Sequence, residues 1–269
     1  MKRTLTALLL ICVIAGSSYA QLPSTTTTKK PIVTYTRPAW TIGVGGVWNL
    51  ATNDAYGRAN YSSQDQVLRD NFGMRWGWGA FVNLKFSPGN DLGKVNAKRQ
   101  NRIYLGFDYK GMTNSDFESG ANKTSYDIIT IGAGYEYVFY APNTLFRSYY
   151  GGGLTGNIIS GEYTPGLASQ FNTAKTFESS FRVGLELRTG LEFVLNSKKR
   201  NLGFTVGARY NLMNLFNDDN ATPLLGQTEN LSLNDGDDAA SGPGFKRYMG
   251  MISIDVGLNI YPDVKKRIR

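Results

Sequence analysis

The chain has 269 residues, with 29 Lys and Arg against 21 Asp and Glu for a formal charge of +8, one cysteine and no histidine. That length suits one large β domain or two small ones. The lack of histidine excludes the Ser–His type of nucleophile activation, and nothing beyond residue 20 approaches the roughly 20 uninterrupted apolar residues of a membrane helix.

Residues 1–20 read as a secretory signal. Lys2 and Arg3 make a basic start, Leu5 to Ala15 an apolar run, and Ser18-Tyr19-Ala20 a small-x-small cleavage site. The run is too short to span a bilayer. Cys12 lies inside it, preceded by Ile11 where a lipoprotein signal needs a small residue, and is expected to leave with the peptide. The mature chain from Gln21 then has no thiol or disulfide chemistry, which fits export. Residues 21–38, with Ser24, the run Thr25 to Thr28, Lys29, Lys30, Pro31 and Pro38, read as a flexible polar linker.

A period of two then begins. The first predicted strand, 39–50, sets Trp40, Ile42, Val44, Trp48 and Leu50 against Thr41, Gly43, Gly45 and Asn49. The second, 74–86, sets Met74, Trp76, Trp78, Ala80, Val82, Leu84 and Phe86 against Arg75, Gly77, Gly79, Asn83 and Lys85. The third, 102–112, opposes Ile103, Leu105, Phe107 and Tyr109 to Gly106, Asp108 and Lys110. The fourth, 125–140, opposes Ile129, Ile131, Tyr135, Tyr137 and Phe139 to Thr130, Gly132, Gly134 and Glu136.

The fifth, 147–160, has the poorest alternation: Tyr150, Leu154 and Ile158 against Gly151, Gly153 and Asn157. The sixth, 177–195, has the best, with Phe181, Val183, Leu185, Leu187, Leu191 and Phe193 alternating with Arg182, Gly184, Glu186, Arg188, Gly190 and Glu192. The seventh, 201–213, sets Leu202, Phe204, Val206 and Tyr210 against Gly203, Thr205, Gly207 and Arg209. The eighth, 247–261, sets Ile252, Ile254, Val256 and Leu258 against Ser253, Asp255, Gly257 and Asn259. The connections 51–73, 113–124, 161–176 and 214–246 are long, while 141–146 and 196–200 are short, with 87–101 an exception. Long loops outside and short turns inside are the habit of outer-membrane barrels. Ten strands follow instead if a long loop holds a further hairpin.

Alternation alone leaves the two faces interchangeable. A soluble ligand-binding barrel turns its apolar face inward, a membrane barrel outward. The apolar face carries four to six bulky residues on most strands, including all four Trp, more than an eight-stranded interior holds. Charges such as Glu186 and Arg188 at mid-strand would cost about 2–4 kcal/mol each against lipid. The expected fold is therefore all-β: a transmembrane antiparallel up-and-down barrel over 39–261, apolar face out, followed by a basic periplasmic tail, 262–269.

In this pattern of strands and loops the chain resembles the small eight-stranded outer-membrane barrel families, of the type of outer-membrane proteins A and X. The resemblance implies a bacterial outer-membrane location and insertion by the barrel machinery, which reads an aromatic residue closing the last strand. Here Tyr261 stands near that place but on the polar parity, with Pro262 after it.

The polar parity collects Arg75, Lys85, Asp108, Lys110, Glu136, Arg182, Glu186, Arg188, Glu192, Arg209 and Asp255. Residues four apart on one strand are about 13 Å apart, so partners are expected on neighbouring strands, Arg209 opposite Glu186 or Arg188 if the turn at 196–200 is tight. The expected result is a lumen closed by ion pairs. The alternative is a narrow porin-like channel for ions or small solutes. The connection 214–246 holds Asp218, Asp219, Glu229, Asp235, Asp237 and Asp238 against Lys246, a net −5. Its Asp218, Asp219, Asp235, Asp237 and Asp238 are candidates for an extracellular cation or partner site, although the spacing of a dedicated calcium loop is lacking. No paired-acid motif stands at a strand end, so no catalysis, cofactor or resident metal is expected. The expected role is structural or surface-interacting, carried by the outer loops. The partners are outer-membrane lipid and lipopolysaccharide, the insertion machinery and an unidentified surface partner. Nucleic acid is not among them, because the positive charges fall in separated blocks. A soluble periplasmic ligand-binding barrel is the remaining alternative.

Overall fold

The computed structural model describes residues 33–53, 55, 74–88, 99–114, 123–140, 145–164, 174–195, 198–216, 230–231 and 249–268. The chain divides into two compact units. One is Met1–Val33 with Ile268–Arg269, of which only Val33 and Ile268 are described; the other is Thr34–Arg267. The strands are β1 (Val33–Tyr35), β2 (Trp40–Asn53), β3 (Trp76–Phe86), β4 (Arg99–Thr113), β5 (Lys123–Tyr140), β6 (Phe146–Thr164), β7 (Lys175–Val194), β8 (Leu202–Leu212), β9 (Asn230–Leu231), β10 (Met249–Ile260) and β11 (Lys266–Ile268).

Eight of these form one closed antiparallel meander, β2-β3-β4-β5-β6-β7-β8-β10, with β10 returning to β2. Closure gives each of the eight strands a hydrogen-bonded neighbour on both sides, so the barrel has no edge strand. Following paired residues from Trp40 through Phe86, Ile103, Tyr135, Gly152, Leu187, Tyr210 and Ile252 returns to β2 at Leu50, ten residues from the start. At about 3.3 Å per residue and about 4.8 Å between strands, that stagger tilts the strands by roughly 40°. β1 and β11, from the segments read as linker and tail, pair with each other, and β9 adds two residues parallel to β7.

The strand of poorest alternation is among the longest. β6 runs 19 residues and pairs with both β5 and β7, with one bulge at Ile159/Gly161. Its glycines give weak intrinsic strand preference, but two full-length neighbours satisfy its backbone and override that preference.

The bulky parity faces outward. Trp78, Val82, Leu105, Phe107, Ile131, Leu154, Leu187 and Val256 are all exposed, and the charged parity is buried. Aromatic pairs mark the short-connection end: Trp40–Phe86 at 4.6 Å, Phe146–Phe193 at 5.3 Å and Tyr137–Phe139 at 4.9 Å between ring centroids. Trp48, Trp76 and Trp78 lie toward the other end. On β7, exposed Phe181 and Phe193 stand twelve residues apart, about 40 Å along the strand and roughly 30 Å along the barrel axis. That is close to the apolar band of a membrane barrel, about 25 Å tall.

The segments just before β2 and just after β10 are tied together at the short-connection mouth. Thr36 donates its N–H to the Lys265 carbonyl (2.9 Å), and Lys265 N–H donates to Thr36 Oγ1 (2.8 Å). Asp263 accepts from the N–H groups of Ala39 (2.6 Å) and Trp40 (3.3 Å), and Gln100 donates to the Pro38 carbonyl (2.8 Å).

Candidate functional site

The lumen is filled in layers, because each strand contributes its inward parity at a different height. Nearest the short connections, Glu136 on β5 and Glu192 on β7 sit at the centre. Arg102 Nη2 bridges them, 2.8 Å from Glu136 Oε2 and 2.7 Å from Glu192 Oε1. Lys85 Nζ lies 3.0 Å from Glu136 Oε1 and 3.8 Å from Glu192 Oε1, and Arg147 Nη1 lies 3.7 Å from Glu192 Oε2. Tyr261, fully buried, donates its hydroxyl to Glu192 Oε2 at 3.4 Å.

Arg188 links this layer to the next, with Nη1 3.1 Å from Glu136 Oε1 and Nε 2.9 Å from Glu186 Oε1. There Arg209 gathers three carboxylates: Asp108 Oδ2 at 2.5 Å, Glu186 Oε2 at 3.3 Å and Asp255 Oδ1 at 2.7 Å. Lys110 Nζ stands 3.6 Å from Asp108 Oδ2 and donates to Thr130 Oγ1 at 3.1 Å. Thr130 continues to Asn157 Oδ1 (2.9 Å), which also accepts from Asn211 Nδ2 (3.2 Å), forming a neutral hydrogen-bonded layer.

Above it, at the long-connection end, the lumen turns apolar. Met74, Met112, Met213, Met249 and Met251 cluster with Ala51, Ala55, Tyr126, Ile128 and Ile159, all buried. These are the five methionines other than Met1.

All eleven charged residues selected by parity are buried. Nine of them, Lys85, Asp108, Lys110, Glu136, Glu186, Arg188, Glu192, Arg209 and Asp255, join the ion pairs above. Arg182 gives Nη1 to the Phe181 carbonyl (3.0 Å), among other contacts, and Arg75 stands just before β3 at the long-connection end. The partners do not come from neighbouring strands alone. Arg102 on β4 meets Glu192 on β7, and Arg209 on β8 meets Asp108 on β4, because a narrow barrel brings opposite walls within side-chain reach. Arg209 is in register with Arg188. Asp218, Asp219, Asp235, Asp237 and Asp238 lie outside the described residues.

Sequence reasoning left out Arg102 and Arg147, which stand on the polar parity at the starts of their strands. It also left out the inward aromatic residues. A Cβ at Gly134 or Gly153 would lie 2.7 or 2.6 Å from the Tyr104 hydroxyl, so that side chain rests across two neighbouring strands where only glycine leaves room. Phe81 lies likewise over Gly45 and Gly257, where each Cβ would come within 2.8 Å of its ring. Tyr149 lies over Gly190 and Gly207, at 2.5 and 2.6 Å from its hydroxyl. The glycines opposite each aromatic residue were the available signal.

Six cations (Lys85, Arg102, Lys110, Arg147, Arg188, Arg209) and five carboxylates (Asp108, Glu136, Glu186, Glu192, Asp255) thus share the lumen, a balance of +1 among these residues. Such a set links opposite walls of the barrel through buried ion pairs.

No family model and no curated protein matches the chain. Among solved structures it is similar to Neisserial surface protein A, at 13% identity and a TM-score of 0.44, covering 83% of this chain and 97% of that one. It is also similar to Ail, the attachment invasion locus protein of Yersinia pestis, in complex with the heparin analogue sucrose octasulfate. That match has 13% identity and a TM-score of 0.40, covering 82% of this chain and 96% of that one.

Proposed function

We propose that this chain is an integral bacterial outer-membrane barrel with a closed lumen, serving as a scaffold whose contacts with partners run through its long connections. The observation that carries this reading is the chain of buried ion pairs crossing the lumen from β4 to β7 and β8. The outward belt of apolar side chains supports lipid as its surroundings, since an exposed apolar surface of this extent is costly in water. On this reading residues 1–20 direct export, 21–38 link, 39–261 insert through the barrel machinery and 262–269 stay periplasmic. Lipid and lipopolysaccharide surround the outward belt, and the acidic connection 214–246 faces outward toward a surface partner or cation. The role is non-catalytic.

Conductance of the purified barrel in planar bilayers tests the closed lumen. The expected trace stays at the bare-membrane baseline across a range of voltages. Large, steady unitary steps would replace the scaffold reading with a channel.

A further inference from the structure

Packing alone does not require methionine at the long-connection end of the lumen. The buried cluster there holds five methionines and neither leucine nor valine, although both are common in the chain. A core filled for volume alone draws on branched residues, whose rotamers are better defined. Methionine differs from them in its sulfur, a soft and polarisable atom on a flexible stem.

The strands bring these sulfurs to one layer. Met213 and Met249 stand opposite each other where β8 and β10 meet the long connection. Leu212 pairs with Gly250, and Met213 donates its N–H to the Met249 carbonyl (2.8 Å). Met251 lies two residues along β10 from Met249, and both are buried. Ala51 on β2 is in register with Met251 and brings only a methyl group to that wall. Met112 comes from β4 with its Sδ across Gly77, where an added Cβ would meet it at 2.6 Å. Met74 comes from the segment just before β3. It shares the parity of outward Trp78, yet it is buried with the other four. The chain departs from its alternation there and adds a fifth thioether. The neutral layer of Thr130, Asn157 and Asn211 separates the cluster from the ion pairs. Met213 is four residues, about 13 Å of extended chain, from Arg209.

We infer that this cluster binds a soft monovalent metal ion, Cu(I) or Ag(I), through the sulfurs of Met213, Met249 and Met251, with Met74 or Met112 as a further ligand. Thioethers select such ions over hard ones. A single charge also costs less to carry into an apolar layer than a double one. The inference goes beyond the scaffold reading and holds whether or not the lumen conducts.

The test is titration of the folded full-length barrel, carrying Cys12→Ser, with Ag(I) in chloride-free buffer and an uncharged detergent. Silver is the probe because Ag(I) keeps its oxidation state in air. The chain has no histidine, so with its one thiol removed the thioethers are its soft ligands. One equivalent is expected to bind, with an affinity that is constant from about pH 6 to about pH 8, because a thioether has no proton to lose. Binding is also expected to shift the methyl signals of Met213, Met249 and Met251 in spectra of isotope-labelled protein. Met249→Leu and Met251→Leu nearly conserve volume, and heat-modifiable migration verifies that each is folded. Each is expected to weaken binding at least about tenfold, since loss of an outer-shell partner alone costs a metal site that much. If either variant fails to fold, the methyl shifts of the parent chain decide. Absence of Ag(I) binding overturns the inference. So does binding that both folded variants leave intact, or that leaves these methyl signals unmoved, since the silver then sits elsewhere on the protein.

Discussion

Arg209 holds three carboxylates, Asp108, Glu186 and Asp255, in a buried setting, and removing it leaves all three facing one another. Breaking a buried pair from one side costs about 3–5 kcal/mol, because the stranded charge has no water to replace its partner. Arg209→Met should therefore lower the stability of the barrel by about that amount in urea unfolding from lipid vesicles. Neutralising Asp108 and Asp255 to Asn in the same chain should restore part of the loss; an unchanged midpoint for the single variant would show that these ion pairs do not hold the lumen. At this scale the sequence was informative about direction and silent about partners. Parity marks Asp108 and Arg209 as sharing a face, since side chains alternate along a strand. That they touch across the lumen depends on strand tilt and register around the whole ring, which no local window of sequence contains. Arg102 and Arg147 obey the same parity and were overlooked only because they stand at strand starts, where boundaries are least certain.

For the strands, glycine has two distinct uses. Gly153 on β6 faces inward, and a Cβ there would meet the Gly134 backbone at 2.6 Å and the Tyr104 hydroxyl at the same distance. Gly46 on β2 faces outward, where the nearest atom to an added Cβ is the Gly79 carbonyl oxygen at 3.8 Å. Gly153→Val should therefore abolish heat-modifiable folding or cost at least about 1–3 kcal/mol through overpacking, whereas Gly46→Ala should leave folding unchanged. Equal tolerance at both positions would mean that Tyr104 does not lie across β5 and β6. The alternation that defines the strands was legible throughout, even in β6, where glycine blurs it. The inward aromatic residues were not, because bulk alone was taken to point outward. Tyr104, Phe81 and Tyr149 break that rule where paired glycines on the two adjoining strands clear a seat. Met74 is a further exception: alternation sets it on the outward face with Trp76 and Trp78, yet it is buried with four other methionines that lie far apart in the chain and meet only when the strands close.

For the whole molecule, everything depends on which face meets the surroundings. An eight-stranded ring with a ten-residue stagger leaves room for one set of side chains, and the charged and glycine-rich set occupies it. The bulky set, with Trp40 42% and Trp78 64% exposed, is left on the outside. Fold and polarity were both legible from residue volume and mid-strand charge. The outer connections, where partners would bind, gave only composition. Tryptophan emission in vesicles whose lipids carry bromine on the acyl chains tests the polarity most directly, because contact with the brominated chains quenches the indole. The folded barrel is predicted to lose most of its emission relative to unbrominated vesicles. A folded, heat-modifiable protein whose emission is the same in both would contradict an outward apolar face.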